Sequence, residues 1–174
     1  MIYTIESDLI ITTSRKPSQI TRRFAQFIKH YFNATYINRG KMSFRKIINT
    51  AKQEDNSLLL ILTETKGNPS NIDVYDTKID DENPIANLYF NISIPSQNSR
   101  INVNSNEIFI INKSGCLDEL FERFTRINST EHIDTNCIII RDDEDNLADI
   151  TFIDKHGEDC RYKIYLKGFN LSGD

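Results

Sequence analysis

The sequence of 174 residues contains no tryptophan, only three cysteines and no long apolar run. A membrane-spanning helix needs roughly 20 consecutive apolar residues, and no stretch of the sequence approaches that length. Cys116, Cys137 and Cys160 lie far apart and form no CxxC pair, so neither a zinc ribbon nor a disulfide framework is indicated. The N-terminus, MIYTIESD, lacks the basic start, apolar run and cleavage site of a secretory signal. These absences predict a cytoplasmic protein that does not contact membranes.

Motifs for catalysis and metal binding are also missing. His30, His132 and His156 have no partner at the spacing of an HxxxH or HExxH motif, and no GxSxG or Cys–His signature is present. The acidic run DDED at 142–145 is more typical of a solvated hairpin tip than of a metal site. The sequence therefore predicts a protein that is not an enzyme, with no catalytic residue, metal ion, other cofactor or small-molecule substrate.

The most informative absence is that of acidic residues between positions 12 and 52. The whole sequence has 25 Asp and Glu against 21 Lys and Arg, for a net charge of −4. Residues 1–66 nevertheless carry 11 bases and 5 acids, whereas residues 67–174 carry 10 bases and 20 acids. Local field decides whether a polyanion binds, so the basic stretch is a candidate surface for one. Its ten basic residues are Arg15, Lys16, Arg22, Arg23, Lys29, Arg39, Lys41, Arg45, Lys46 and Lys52.

Apolar spacing predicts alternating strands and helices in the first half of the chain. Ser18 and Ser43 are good helix N-caps, and each precedes a run with apolar residues at helical spacing. The run SLLLILTE is the most apolar in the chain and predicts a central strand buried on both faces. The order strand–helix–strand–helix–strand predicts a largely parallel sheet. The predicted elements are strands over 9–13, 35–38, 57–64 and 72–75, and helices over 19–32 and from 44 to about 52.

The second half predicts a sheet-rich region with one helix. Residues 76–84 are acidic, end in Pro84 and predict a linker or long loop. The acidic segments 142–146 and 155–159 predict hairpin tips. The predicted elements are strands over 86–94, 101–103, 107–111, 137–141, 148–154 and 162–167, and a helix over 116–127. The chain is thus predicted to be α/β, with a basic half at 1–78 and an acidic half at 85–174.

Two loops place basic residues where predicted parallel strands end. In the first, Arg15 and Lys16 precede a helix whose free N–H groups would favour a phosphate. In the second, Arg39 and Lys41 flank Gly40 before the second helix. Carboxyl ends of parallel strands meet at one edge of a sheet, where open α/β sheets bind ligands. We therefore expect the two loops to form one anion site.

The turn after the central strand adds Lys66 to the same predicted edge, and the outer faces of the two helices add further cations. GKMS at 40–43 resembles the end of a phosphate loop, but the upstream glycine of GxxxxGK[ST] is absent, which argues against a nucleoside-triphosphate site. The candidate RNA-binding residues are Ser14, Arg15, Lys16, Arg22, Arg23, Arg39, Gly40, Lys41, Arg45, Lys46 and Lys66.

Three motifs in this basic region resemble a known family. LIITTSRKPSQITRRFAQFI, YINRGKMSFRKIINTA and LLLILTETKGNPSNIDVY are similar to the N-terminal motifs of the Brix-domain proteins, in order and in spacing. The similarity is specific over residues 8–76 and loose beyond them, and it is greatest to short archaeal members that consist of this domain alone. The basic residues of the family's motifs correspond to Arg15, Lys16, Arg22, Arg39 and Lys41, and its turn residues correspond to Lys66, Gly67, Asn68 and Pro69.

The resemblance implies one Brix-like domain over residues 1–174. It implies two similar αβ halves with mixed sheets packed together, each like the anticodon-binding domain of class II aminoacyl-tRNA synthetases. It also implies an RNA-binding ribosome biogenesis factor, acting in processing and assembly of ribosomal or pre-ribosomal RNA. Ribosomal or other assembly proteins are further candidate partners.

Two other functions stay open from the residues. The acidic half would suit a module that docks basic ribosomal proteins, and the basic loops would suit a small enzyme acting on a phosphate ligand.

Overall fold

The computed structural model describes residues 1–5, 7–54, 57–79, 82–97, 100–103, 107–129 and 132–172. The chain divides into two compact units. The basic unit comprises Ser7–Tyr89 and Phe169–Asp174, and the acidic unit comprises Met1–Glu6 and Phe90–Gly168. In the full sequence the basic unit has 12 bases and 10 acids, whereas the acidic unit has 9 bases and 15 acids.

Strands outnumber helices among the described residues, which contain eleven strands and three helices. No helix in this described part of the chain is long and apolar enough to cross a membrane. In chain order the elements are β1 (Ile2–Ile5), β2 (Asp8–Thr13), α1 (Gln19–Phe32), β3 (Thr35–Tyr36), α2 (Phe44–Ala51), β4 (Ser57–Thr65), β5 (Asn68–Asp76), β6 (Ala86–Ser93), β7 (Phe109–Asn112), α3 (Asp118–Phe124), β8 (Thr125–Ile127), β9 (Cys137–Arg141), β10 (Ala148–Ile153) and β11 (Asp159–Leu171).

The basic unit has the strand order β3-β2-β4-β5-β6. β2 pairs in parallel with β3 and β4, as the strand–helix alternation predicts. β5 and β6 then return antiparallel, so the expectation of a largely parallel sheet is wrong beyond β4. The cause is the tight turn at Lys66 and Gly67, which both have positive φ, of 52° and 81°. A two-residue turn of this kind favours a hairpin.

Both helices of the basic unit begin at the predicted caps. Ser18 accepts from the Thr21 N–H at the start of α1, and Ser43 accepts from the Lys46 N–H at the start of α2. The apolar face of α1 is buried, including Phe24 and Phe27, and α1 contacts β2, β4 and β5. α2 buries Ile47, Ile48 and Ala51 in one cluster with Ile10, Leu59, Ile61 and Tyr75.

The acidic unit has the strand order β8-β1-β7-β9-β10-β11. β7 and β9 are parallel, and the other neighbouring pairs are antiparallel. The predicted strands at β9 and β10 and the hairpin tips that flank β10 are confirmed. The mixed α/β class is therefore confirmed, with parallel and antiparallel pairs in both units.

The structure of this unit differs from the sequence analysis at three places. β1 was not predicted, although Tyr3 is fully buried and the strand pairs with β7 and β8. The helix predicted over 116–127 spans only Asp118–Phe124, because Thr125 is extended (φ −129°, ψ 167°) and begins β8. Residues 101–103 form no strand; the Asn102 carbonyl accepts from the Lys155 N–H (2.8 Å).

The two units share an order of elements. In each, a strand leads into a helix, a parallel strand follows, and two antiparallel strands complete the run: β2, α1, β4, β5 and β6 in one, and β7, α3, β9, β10 and β11 in the other. Between the helix and the parallel strand, the basic unit has β3 and α2, whereas the acidic unit has β8. β6 and β11 each have residues in both units.

Candidate nucleic-acid interface

A groove with a volume of about 750 Å³ lies at the carboxyl ends of β2 and β3, where the two basic loops begin. None of its lining residues is acidic. The structure thus brings Arg15, Lys16 and Lys41 of the two basic loops together, with Arg22 of α1. We call it the basic groove, and it is lined by Arg15, Lys16, Pro17, Arg22, Gln26, Tyr36, Asn38, Gly40 and Lys41.

Hydrogen bonds beside the groove connect β2 to the segment that follows β3. The buried Thr12 hydroxyl donates to the Ile37 carbonyl (2.7 Å), and the Ile37 N–H donates to the Ile11 carbonyl (2.9 Å). The Arg39 guanidinium donates to the Thr13 carbonyl (3.2 Å) and to the Met42 carbonyl (2.8 Å). Arg39 therefore ties the end of β2 to the loop that carries Lys41.

The Arg39 side chain is half-buried and does not line the groove. Burial, and secondarily the charge of Arg15, lower the pKa of Arg39 from its usual value. An arginine stays protonated under physiological conditions even when its pKa falls. Two of its donor groups already bind backbone carbonyls, so Arg39 connects β2 to the β3–α2 loop and does not contribute to the groove lining.

Four cationic side chains line the groove. Among the described residues, the side chains of Arg15, Lys16, Arg22 and Lys41 make no ion pair and donate no hydrogen bond. All four are exposed. Like charges held together without counter-charges repel one another, and an anion in the groove relieves that repulsion. The arrangement is suited to a polyanion such as a phosphodiester backbone.

A carboxylate lies at the N-terminus of α1, where the sequence predicts free N–H groups that favour a phosphate. The Glu64 carboxylate, which lies 46 positions away on β4, accepts from the Ser18 N–H (3.0 Å) and from the Thr21 hydroxyl. The Ser18 hydroxyl donates to the Gly67 carbonyl (2.6 Å) and accepts from the Thr21 N–H (3.1 Å). The Ser18 and Thr21 N–H groups therefore already have acceptors, and the negative charge of Glu64 offsets the positive end of the helix.

These hydrogen bonds also fix the charge state of Glu64. The Thr21 hydroxyl is the largest cause, with the Ser18 N–H in addition, and together they lower the pKa of Glu64 in spite of its burial. The ionised form is therefore the one that the folded chain stabilises.

The remaining predicted RNA-binding residues lie outside the groove lining. Arg45, on the outer face of α2, pairs with Glu82 at 3.3 Å, with both side chains well exposed. Lys46 is exposed on α2, and Lys66 is exposed at the tip of the β4–β5 hairpin. Arg23 is half-buried on α1. Ser14 is half-buried, and its N–H donates to the Leu62 carbonyl (3.0 Å).

Three polar residues of the groove lining were not predicted, namely Gln26, Tyr36 and Asn38. Gln26 follows Arg22 by four positions on α1, so the helical period places both on one face. That signal was present in the sequence. Tyr36 lies in a two-residue strand, and so short a strand does not show in sequence which face its side chain takes.

A metal centre is not indicated in the described ranges of the chain. There, no group of three or more His, Cys, Asp or Glu side chains could hold a metal ion. Burial raises the pKa of Cys137 to about 11 and that of Cys160 to about 12, so these thiols are poor nucleophiles at neutral pH.

Comparison with known proteins finds relatives that carry the same description. A probable Brix domain-containing ribosomal biogenesis protein of Archaeoglobus fulgidus is 40% identical over 67 residues, which are 38% of this chain and 40% of the relative. A protein of the same description from Methanococcoides burtonii is 29% identical over 136 residues, covering 78% of this chain and 83% of the relative. No family model matches the chain. The match thus spans less than half the length of the first relative.

A solved structure extends the similarity over nearly the whole chain. The crystal structure of an archaeal Imp4-like protein has a TM-score of 0.76 and 26% identity to this chain. The superposition covers 94% of this chain and 99% of that one. The chain is therefore similar in sequence and in fold to archaeal Brix-domain ribosomal biogenesis proteins, as the three basic motifs of its sequence indicate.

Proposed function

We propose that this chain is a ribosome biogenesis factor that binds ribosomal or pre-ribosomal RNA through the basic groove and acts in its processing and assembly, without being an enzyme. The relatives are described as ribosomal biogenesis proteins, which supports the role. The single observation that carries RNA binding is the set of four exposed groove cations whose side chains have no partner among the described residues.

The proposal predicts a particular salt dependence. Each phosphate contact to single-stranded nucleic acid contributes about −0.7 to the slope of log K against log salt concentration, so four contacts give a slope of about −2.8. Fluorescence anisotropy with labelled fragments of ribosomal RNA, over a series of salt concentrations, measures this slope. Replacing Arg15, Lys16, Arg22 and Lys41 together by Ala should bring the slope near zero and weaken binding roughly 10²–10³-fold at about 0.1 M salt.

A matched control separates a site from a general charge effect. The variant in which Lys113, Arg141, Lys155 and Lys167 are replaced by Ala has the same net charge as the groove variant, and all four residues are exposed in the acidic unit. We expect this control to retain most of the affinity and the slope. Equal losses in the two quadruple variants would refute the groove as the RNA site. Circular dichroism of each variant checks that it is folded.

We further propose that residues 1–174 form one Brix-like domain built from two similar αβ units, each like the anticodon-binding domain of class II aminoacyl-tRNA synthetases. The shared order of strand, helix, parallel strand and two antiparallel strands supports this. Superposition of β2, α1, β4 and β5 on β7, α3, β9 and β10, and of both on such a domain, tests it. A Cα deviation no better than that of unrelated α/β units would count against it.

A second candidate function is docking of basic ribosomal proteins by the acidic unit. The observation that favours it is the β9–β10 tip, where Asp142, Glu144 and Asp145 are exposed and Leu147 exposes 39% of its surface. A basic partner with an apolar residue would match this surface. Pull-down of purified ribosomal proteins by the wild type and by a variant with these carboxylates neutralised tests the idea, and equal capture by both would exclude the tip.

A further inference from the structure

An aromatic ring lies among the cations of the basic groove. Tyr36 on β3 pairs with Ile11 of β2 and lines the groove with Arg22 and Gln26 of α1. Successive side chains of a strand point to opposite faces, and the next residue, Ile37, packs against the cluster around α2. The Tyr36 ring is therefore directed to the α1 side, where it is half-buried.

The other uncharged lining residues supply hydrogen-bonding groups. Gln26 and Asn38 each have an amide with donors and an acceptor, and Tyr36 has a hydroxyl. In the described part of the chain, none of these three side chains makes a hydrogen bond. A site for inorganic phosphate alone has no use for an aromatic face and two free amides. A nucleotide uses all of them, since its base has a π-face and polar edges.

We propose that the basic groove holds an unstacked base of single-stranded RNA against the Tyr36 ring, with the amides of Gln26 and Asn38 at the edge of the base. This inference rests on the proposed function, because the four cations would hold the flanking phosphates. The volume of about 750 Å³ lies within the range of nucleotide- and cofactor-sized sites. Duplex RNA keeps its bases stacked and paired, so the groove discriminates against it.

The proposal separates the contribution of the base from that of the phosphates. We would measure binding of three RNAs of equal length: a single strand with bases, a strand of abasic ribose phosphates, and a duplex. The wild type should bind the base-bearing strand about tenfold more tightly than the abasic strand, which is within the range that stacking of one base on an aromatic side chain provides. The duplex should bind more weakly than the base-bearing single strand.

Variants of Tyr36 refine this measurement. Tyr36→Ala should lower affinity for the base-bearing strand about tenfold, leave affinity for the abasic strand unchanged and leave the salt slope unchanged. Tyr36→Phe retains the ring and should retain most of the affinity. The matched control is Tyr89→Ala, because Tyr89 is an exposed tyrosine of the same unit that does not line the groove.

The outcomes distinguish this inference from the proposed function. Equal binding of base-bearing and abasic strands by the wild type would overturn the inference, even if Tyr36→Ala failed to fold. Equal binding of duplex and single strand would overturn it too. If the quadruple groove variant still lost its affinity in those cases, phosphate binding in the groove, and with it the proposed function, would stand. If that variant bound like the wild type, both would fall.

Discussion

The loops β2–α1 and β7–α3 have the same place in the element order of the two units but differ in charge, because the first carries Arg15 and Lys16 and the second carries Lys113 alone. Each is closed by a carboxylate from the end of the following parallel strand. Glu64 accepts from the Ser18 N–H (3.0 Å), and Asp142, directly after β9, accepts from the Gly115 N–H (3.0 Å). In both units a carboxylate thus accepts from a backbone N–H of the loop, and the loops differ in the side chains that they carry.

In the acidic unit, the Asp118 carboxylate at the start of α3 accepts two hydrogen bonds. The Asn112 amide donates to the Asp118 carboxylate (2.9 Å), and the hydroxyl of the buried Tyr3 donates to the same carboxylate (2.7 Å). The first turn of α3 carries Asp118 and Glu119. Negative charge at this end of a helix offsets its dipole and disfavours a phosphate there, and Lys113 is the only basic residue between β7 and α3.

In the basic unit the first turn of α1 has no acidic residue, and its loop carries Arg15 and Lys16. The carboxylate that offsets the helix dipole comes instead from Glu64 on another strand. The Glu64 carboxylate accepts hydrogen bonds from Ser18 and Thr21 and pairs with neither Arg15 nor Lys16. Both cations therefore line the groove. The two loops therefore differ in the charge that they present.

The largest expected difference between the two loops is in stability. Glu64→Ala removes the acceptor of the fully buried Thr21 and of the Ser18 N–H, and an unsatisfied buried donor costs about 1–3 kcal/mol. Asp142→Ala removes the acceptor of an exposed N–H, which water replaces, and should cost less than about 1 kcal/mol. Urea unfolding of both variants measures the difference. Equal losses of unfolding free energy would mean that the two carboxylates contribute equally to stability.

The pH dependence of stability sharpens the same contrast. The pKa of Glu64 is lowered in the folded chain, so its contribution is fully present above the unfolded pKa of about 4.3. That contribution is lost as the pH falls through the folded pKa. The difference in unfolding free energy between the wild type and Glu64→Gln should therefore be constant near neutral pH and should shrink in acid. A difference that grows in acid would contradict the assigned charge state.

Much of this arrangement follows from local sequence. The bounds of α1 follow from its apolar spacing and the Ser18 cap, and the two basic loops follow from the ends of the strands before them. Pairings across long separations cannot be seen this way. β1 begins only one residue from the N-terminus and pairs with β7 and β8, more than a hundred positions away. Local spacing gives no sign of that partner.

The same limit applies to the site. The sequence shows Arg39 as one more cation, whereas its two hydrogen bonds to carbonyls depend on the approach of β2 to the β3–α2 loop. Glu64 looks like the polar end of a buried strand until the chain brings Ser18 to it. Charge can be located by sequence, but whether a charged group binds a ligand or supports the fold depends on its neighbours in space.

Arg39 provides a test of that distinction with a medium-sized effect. Arg39→Gln removes the connection between β2 and the β3–α2 loop and should lower RNA affinity several-fold while leaving the salt slope at about −2.8. Lys41→Ala, its matched comparison, should flatten the slope by about 0.7, because it removes a phosphate contact. Anisotropy titrations at several salt concentrations give both values. A slope that flattens equally in the two variants would make Arg39 a phosphate contact, as the sequence alone suggests.

The smallest expected effect concerns the acidic unit and tests whether its surface lies apart from the RNA. The tip residues Asp143, Glu144 and Asp145 can be neutralised to Asn, Gln and Asn, while Asp142 is kept for its bond to Gly115. Glu144 and Asp145 are exposed, and Asp143→Asn keeps an oxygen that can accept from the Asn146 amide, so the variant should fold. Its RNA affinity should be equal to that of the wild type or slightly higher, because less negative charge repels the phosphates. A several-fold loss in the folded variant would place the tip in contact with RNA, and the comparison between the two units would then have to be drawn without the assumption that only one of them binds.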